Sequence, residues 1–178
     1  MIGMIKRSFT YLDKDTFIKL YKSLVRPHLK YGNTIWHPHL KRQSISVEKV
    51  QRRATKLLYE CKDMSYSERL NYLNLHSLKG RRLRGDLIET YKYFNNVYDV
   101  SCDKIFCSTH EKRTRNPEGK IFIRQCKTNK RKNVFSYRVA SHWNILPNTT
   151  KFTTNINNFK NLLDSDPKFA NLFIDFDE

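Results

Sequence analysis

Apolar and charged residues recur along residues 47–58 with the period of an α-helix, and the two kinds fall on separate faces. The apolar residues are spaced by three, four and one, as in a helix with one buried face; they are Val47, Val50, Ala54, Leu57 and Leu58. The other positions are mostly cationic: Lys49, Arg52, Arg53 and Lys56. Glu48 is the only acid in the stretch. The pattern predicts a long helix from about Ser44 to Glu60 with a basic outer face.

A second amphipathic helix is predicted over residues 78–94, with Ser77 as its N-cap. Its apolar stripe consists of Leu83, Leu87, Ile88, Tyr91 and Phe94, and its first turns carry Lys79, Arg81, Arg82 and Arg84. Positive charge at a helix N-terminus opposes the macrodipole, so these cations are not expected to stabilise the helix. They indicate an anionic partner, unless some pair with acids inside the bundle, as Arg82 would with Asp86 at i and i+4.

Further helices complete the pattern of the first 97 residues. Residues 13–26 carry an apolar face behind an Asp13 or Asp15 N-cap, and Pro27 either interrupts this helix or begins another. Ser65 and Glu68 have the spacing of a capping box at the start of a helix of two turns. Residues 1–97 are therefore predicted to form a helical bundle.

The remainder of the chain, residues 98–178, is predicted to be a small mixed region. Short alternating runs at 103–107 and 120–126 predict a β-hairpin with a long loop. Helical spacing returns over residues 134–146 and again near 156–164. The predicted fold class is mainly α, with one hairpin in the second region.

The charge of the chain is the strongest indication of a partner. Lys and Arg number 34 against 17 Asp and Glu, which gives a formal charge of +17. Such an excess favours nucleic acid or an anionic membrane surface, with a solvated basic surface as the alternative. Residues 120–132 add six cations without an acid. Interleaved aromatics such as Phe122 and Tyr137 either stack on unpaired bases or pack in the core.

Catalytic and metal chemistry have little support in the sequence. Polymerases and nucleases that use two metals need clustered carboxylates, and the sequence contains no Asp-Asp pair. A weak candidate for a zinc site consists of Cys102, Cys107, His110 and Cys126. Because the spacing of these residues is irregular and contains no CxxC knuckle, the default expectation is that the cysteines are reduced thiols. The sequence contains no run of 18 apolar residues and no signal peptide, which predicts an intracellular protein that does not span a membrane.

Four blocks of sequence occur in the same order in a family of mobile elements. They are YKSLVRPHLKYGNTIW (21–36), VEKVQRRATKLL (47–58), YSERLNYLNLHSLKGRRLRGDLIETYK (66–92) and VFSYRVASHWNILP (134–147). Up to about residue 163 the chain resembles the C-terminal region of the polyprotein of non-LTR (LINE-type) retrotransposons, in the jockey- and chicken-repeat-like branches. The resemblance implies the helical thumb of a reverse transcriptase, followed by its C-terminal extension, with the division near residue 97.

The family's catalytic palm carries an aromatic-Ala-Asp-Asp tetrapeptide, which this sequence lacks. The resemblance therefore implies a truncated copy of an RNA-directed DNA polymerase that is not an enzyme by itself. It also implies no cofactor, because the Mg²⁺ ions belong to the palm. The expected location is the nucleus, and the expected protein partners are the palm and fingers of the parent polymerase.

In the family the thumb holds the template–primer duplex, which implies non-specific binding of an RNA–DNA hybrid or duplex DNA. Phosphate contacts of this kind fix position without specifying sequence. The residues carried over from the matching blocks are Lys49, Arg52, Arg53, Lys56, Arg81, Arg82 and Arg84. The charge pattern adds Lys79, Arg124, Lys130, Arg131 and Lys132. The alternative is a non-functional remnant or a protein-interaction module that does not bind nucleic acid.

Overall fold

The computed structural model describes residues 1–106 and 119–169, and this part of the chain is mainly α-helical, as predicted. The helices are α1 (Ile2–Ser8), α2 (Lys14–Leu20), α3 (Arg26–Lys30), α4 (Lys41–Thr55), α5 (Tyr66–Tyr72), α6 (Leu78–Phe94), α7 (Asn129–Lys132), α8 (Phe135–Ile145), α9 (Asn148–Lys151) and α10 (Ile156–Ser165). A π-helical turn, Tyr21–Val25, joins α2 to α3, and 3-10 turns occur at Tyr59–Cys61 and Cys102–Lys104. Within residues 1–106 and 119–169, no helix combines the length and the apolar character needed to cross a bilayer.

The described residues form two compact units. The first unit contains Met1–Asn33 and Pro38–Arg82, and the second contains Thr34–His37 and the described residues from Leu83 onward. The chain passes from one unit to the other within α6. The predicted boundary near residue 97 concerns the organisation of the resembling family and stays a prediction.

A change in helical hydrogen bonding accommodates Pro27. Asp13 caps α2 by accepting a hydrogen bond from the amide of Thr16 at 3.0 Å. At the end of the π-helical turn the Arg26 N–H donates to the carbonyl of Tyr21, five residues earlier. Pro27 has no N–H to donate and lies in the first turn of α3, where none is needed. Pro27 therefore neither interrupts the helix nor begins a separate one, because the helical backbone continues from α2 through the π-helical turn into α3.

The capping box at the start of α5 is confirmed. The Ser65 hydroxyl accepts from the Glu68 amide at 3.3 Å, and the Glu68 carboxylate accepts from the Ser65 amide at 2.6 Å. This fixes the entry of α5 into the core of the first unit. Leu70 and Leu73 are buried in that core together with Phe17 and Leu58.

The buried face of α4 differs from the predicted apolar stripe. Ala54 is buried, whereas Val47 and Val50 are only half-buried. Three polar side chains are fully buried in their place: Glu48, Gln51 and Thr55. The apolar periodicity located the helix correctly but placed its inner face about one position away from the observed one.

The predicted β-hairpin is wrong, since neither 103–106 nor 119–126 forms a strand. The apolar residue Phe106 is 2% exposed, and its ring packs on those of Phe94 and Phe135. The side chain of Asn144 accepts from the amide of Ile121 and donates to its carbonyl, both at 2.9 Å. The Asn144 side chain thus provides both backbone hydrogen bonds of Ile121, and the Phe106 ring is buried among other aromatic rings. Cys107 lies outside the described residues.

The second unit is built around stacked aromatic rings. The centroids of Tyr91 and Phe159 are 4.4 Å apart, and those of Phe94 and Trp143 are 5.1 Å apart. The Arg138 guanidinium donates to both carboxylate oxygens of Asp86, at 2.8 and 2.9 Å. This largely buried pair ties α8 to α6 within the second unit.

Candidate nucleic-acid interface

Three predicted contact residues form a row on the exposed side of α4. Lys49 and Arg53 lie one turn apart in α4, and Lys56, the C-cap of α4, keeps a helical backbone conformation, so the spacing of four and three places all three on one face. All three are exposed, whereas Glu48 and Gln51, on the inner side, are completely buried. The row therefore faces solvent along about two turns of α4.

This row lines a groove of about 1090 Å³ in the first unit. Residues of α1 and the segment after it complete the groove, and we call it the α1–α4 groove. Five cations line it, and no Asp or Glu does so among the residues that the structure describes; the cations are Lys6, Lys49, Arg53, Lys56 and Lys62. Charges of one sign gathered in a concave surface raise the local concentration of counter-ions of the opposite sign.

The floor of the groove is apolar and continuous with the core. Ile5 is 3% exposed, and Val50 of α4 and Leu57, just after α4, pack against the same core. The segments that carry these cations therefore pack on the core of the first unit.

Exposed aromatic rings lie among the cations of the groove. Tyr11 is 70% exposed, Tyr59 is 74% exposed and Phe9 is 40% exposed. The ammonium group of Lys62 lies 4.5 Å from the centroid of the Tyr59 ring. Cations and rings that alternate along one groove are typical of surfaces that bind nucleic-acid strands.

Arg52 is not part of the groove lining. Its guanidinium lies 4.7 Å from the centroid of the buried Tyr66 ring and is half-buried. This contact is a cation–π interaction within the first unit. Of the four cations predicted on the long basic helix, the structure thus brings three together in the groove and places Arg52 against the core.

The N-terminus of α6 meets a carboxylate inside the first unit. Both oxygens of Glu48 accept from the Leu78 amide at 3.1 Å, and Glu48 also accepts from the hydroxyl of Tyr66. The Ser77 hydroxyl accepts from the Gly80 amide at 3.0 Å, which confirms Ser77 as the N-cap. A negative charge at this end complements the helix dipole. Part of the predicted requirement for an anion is therefore met within the chain.

The cations at the start of α6 have different environments. Arg82 is 4% exposed and donates to the Ser44 hydroxyl at 3.1 Å. Arg81 is half-buried and Lys79 is exposed. Within the second unit, Arg84 donates to both carboxylate oxygens of Asp164 at 2.7 Å. Because Arg82 and Arg84 already have partners within the chain, the interface proposed below does not include them.

The second unit has its own cluster of exposed cations on and near α7. Thr128 caps this short helix by accepting from the Arg131 amide at 3.4 Å. The Arg131 guanidinium lies 5.7 Å from the Tyr137 ring centroid. All four predicted contact residues of this region are exposed: Arg124, Lys130, Arg131 and Lys132.

The zinc candidate stays a prediction. Cys107 and His110 lie outside the described residues, and no cluster of three or more metal-ligating side chains occurs within 1–106 and 119–169. Cys102 and Cys126 are free thiols. Burial, followed by the charge of Asp103, raises the pKa of Cys102 to about 11.

The sequence analysis missed the part of the groove outside α4. Lys6, Tyr11, Tyr59 and Lys62 lie on short or irregular segments, where hydrophobic periodicity carries little information. The available signal was compositional, since residues 6–11 contain two cations and two aromatic residues, and residues 59–62 contain Tyr59 and Lys62.

Comparison with models of known protein families, with characterised proteins and with solved structures gave no match to this chain.

Proposed function

We propose that the chain binds nucleic acid without sequence preference, and that it corresponds to the thumb and C-terminal extension of a non-LTR retrotransposon reverse transcriptase. The observation that carries the proposal is the α1–α4 groove, where five cations gather and no described acid joins them. Lys and Arg side chains that contact phosphates release counter-ions, which drives binding independently of sequence. The four blocks that resemble the family support a template–primer duplex as the ligand and the nucleus as the location. The proposed function is binding, without a catalytic activity of the chain itself.

The shape of the groove favours a polynucleotide over a membrane. A bilayer offers a nearly flat surface of head groups, whereas a polynucleotide strand can offer phosphates and bases to both sides of a concavity such as the α1–α4 groove. The exposed cations near α7 offer a second set of phosphate contacts on the second unit.

Charge reversal in the groove tests this proposal. We expect Lys49→Glu with Arg53→Glu to lower the affinity for an RNA–DNA hybrid at least about tenfold at ~0.1 M salt, because two phosphate contacts become repulsive. The matched control is Lys19→Glu with Lys22→Glu, which alters two exposed cations of the same unit outside the groove. Fluorescence anisotropy measures both variants, and circular dichroism checks that they are folded.

The alternative is a remnant or a protein-interaction module that does not bind nucleic acid. Exposed apolar residues favour a protein partner, since Ile35 is 92% exposed and Trp36 is 54% exposed. If the folded wild-type chain gave no electrophoretic shift of an RNA–DNA hybrid at ~50 mM salt, the proposal would be contradicted and this alternative would be favoured.

A further inference from the structure

We propose that the α1–α4 groove takes an unpaired polynucleotide strand, with bases stacked on Tyr11 and Tyr59 and phosphates against Lys49, Arg53 and Lys56. This inference depends on the proposed function and goes beyond it, because it names the state of the strand that the groove selects. The ligand chemistry is shared by single-stranded RNA and single-stranded DNA.

The two tyrosines carry this inference because the fold makes little use of their rings. Tyr11 and Tyr59 are 70% and 74% exposed, although both line a groove whose floor is apolar. The nearby Tyr72 has a different role: its hydroxyl donates to Glu60, and the Lys14 ammonium lies 4.2 Å from its ring centroid. The bond to Glu60 gives the Tyr72 hydroxyl a structural role, whereas the Tyr59 ring shares with Tyr72 only the contact with a lysine ammonium group.

The cations lie where a backbone would follow the stacked bases. The Lys62 ammonium lies 4.5 Å from the centroid of the Tyr59 ring, and this side chain is still 74% exposed, so ring surface remains for a base. On the α4 side of the groove, Arg53 and Lys56 are exposed and adjacent to the ring-bearing segment in the same lining. Each base that stacks on an aromatic ring of this kind adds about tenfold to affinity, irrespective of sequence.

A duplex does not use these rings in the same way. Its bases are stacked on one another, so their faces are closed to side chains except at the ends of the helix. The cations still attract a duplex through its phosphates. The groove therefore binds both forms, and only the unpaired strand gains the stacking contribution.

The test compares strands of about 12 nucleotides, a length within the site sizes of such grooves. Fluorescein-labelled oligo-dT, oligo-U and the matching duplexes are titrated with the full chain at one salt concentration, and anisotropy gives the affinities. We expect each single strand to bind at least about tenfold more tightly than its duplex.

Variants of the rings separate stacking from charge. Tyr11→Leu with Tyr59→Leu should remove the preference for single strands and leave duplex affinity unchanged, because the cations remain. Tyr11→Phe with Tyr59→Phe should keep the preference, because the rings remain. Tyr31→Leu is the control, since Tyr31 is 88% exposed and lies outside the groove.

Crosslinking provides a measurement on the wild-type chain, independent of whether the leucine variants fold. Oligo-U containing 5-iodouracil should crosslink on irradiation to peptides that contain Tyr11 or Tyr59, as mass spectrometry can map. Crosslinks confined to other peptides, or equal affinity for single strands and duplexes, would overturn this inference while leaving the proposed function intact. Failure to bind either form would overturn both.

Discussion

Glu48 lies at one end of a chain of buried hydrogen bonds in the first unit. The Tyr21 hydroxyl donates to the Gln51 carbonyl oxygen, the Gln51 amide donates to the Tyr66 hydroxyl at 3.0 Å, and Tyr66 donates to Glu48. Gln51 also donates to the carbonyl of His76 at 3.0 Å. These polar groups are removed from water, so each bond costs more to break than an exposed one would.

Tyr66 should make stability depend on pH in alkaline solution. Burial, and next the charge of Glu48, raises the pKa of Tyr66 above its ordinary value near 10. The contribution of the neutral Tyr66 phenol to the free energy of unfolding is therefore fully present below about pH 10. It is lost as the pH rises further, because the phenol of the unfolded chain loses its proton at a lower pH than that of the folded chain. Urea titrations should show a free energy of unfolding that falls above about pH 10. Tyr66→Phe should reduce that slope by up to ~1.4 kcal/mol per pH unit.

The control for this pH dependence is Tyr31→Phe, which changes a phenol that is 88% exposed. The free energy of unfolding of this variant should fall with pH as steeply as that of the wild-type chain. Equal slopes for Tyr66→Phe and the wild type would show that the Tyr66 proton does not contribute to alkaline unfolding.

At the scale of the element, α4 combines a structural side with a solvent-facing side. Its inner residues Glu48 and Gln51 hold α5 and the start of α6, while Lys49 and Arg53 on the other side line the groove. Loss of the inner contacts should therefore affect stability, and loss of the outer contacts should affect binding.

Glu48→Gln tests the inner side of α4. The amide keeps the size of the carboxylate but removes its negative charge from the N-terminus of α6 and one acceptor oxygen from Leu78 and Tyr66. We expect a loss of about 2–4 kcal/mol in the free energy of unfolding, measured by urea denaturation. Glu60→Gln is the control, because Glu60 is exposed and its bond to Tyr72 is also exposed. A variant as stable as Glu60→Gln would contradict the capping role of Glu48.

The sequence indicated the long helices, because their periodicity and caps are local. The Ser65 capping box and the Ser77 cap needed only neighbouring residues and were predicted correctly. The polar inner side of α4 was not predicted, because Glu48 is satisfied by Leu78, thirty residues later in the chain. The hairpin failed for the same kind of reason, since the Asn144 side chain is the partner of Ile121. Contacts distant in sequence decided both cases.

At the scale of the whole molecule, the excess of positive charge is not a uniform coating. Some cations are engaged within a unit, as Arg84 is with Asp164 and Arg138 is with Asp86. Others gather in the α1–α4 groove of the first unit and near α7 in the second. The sequence shows the excess of charge, but only burial and pairing in the structure separate the cations engaged within a unit from those exposed to solvent.

The two cationic surfaces should contribute separately to binding. Lys130→Glu with Lys132→Glu removes two exposed cations of α7, so we expect weaker binding of an RNA–DNA hybrid and a salt slope shallower by about two. The preference for unpaired strands should stay, because the tyrosines of the groove are untouched. Lys104→Glu with Lys168→Glu, two exposed cations of the same unit outside the α7 cluster, is the matched control.

Anisotropy titrations at several salt concentrations give both the affinity and the slope for these variants. Because the two surfaces lie on different units and share no residues, the free-energy losses of the α7 pair and of Lys49→Glu with Arg53→Glu should add when combined. If the α7 substitutions left the dependence of log affinity on log salt unchanged, the α7 cations would be exposed to solvent without contacting phosphates. Phosphate binding would then be confined to the groove, where Lys49 and Arg53 would carry it.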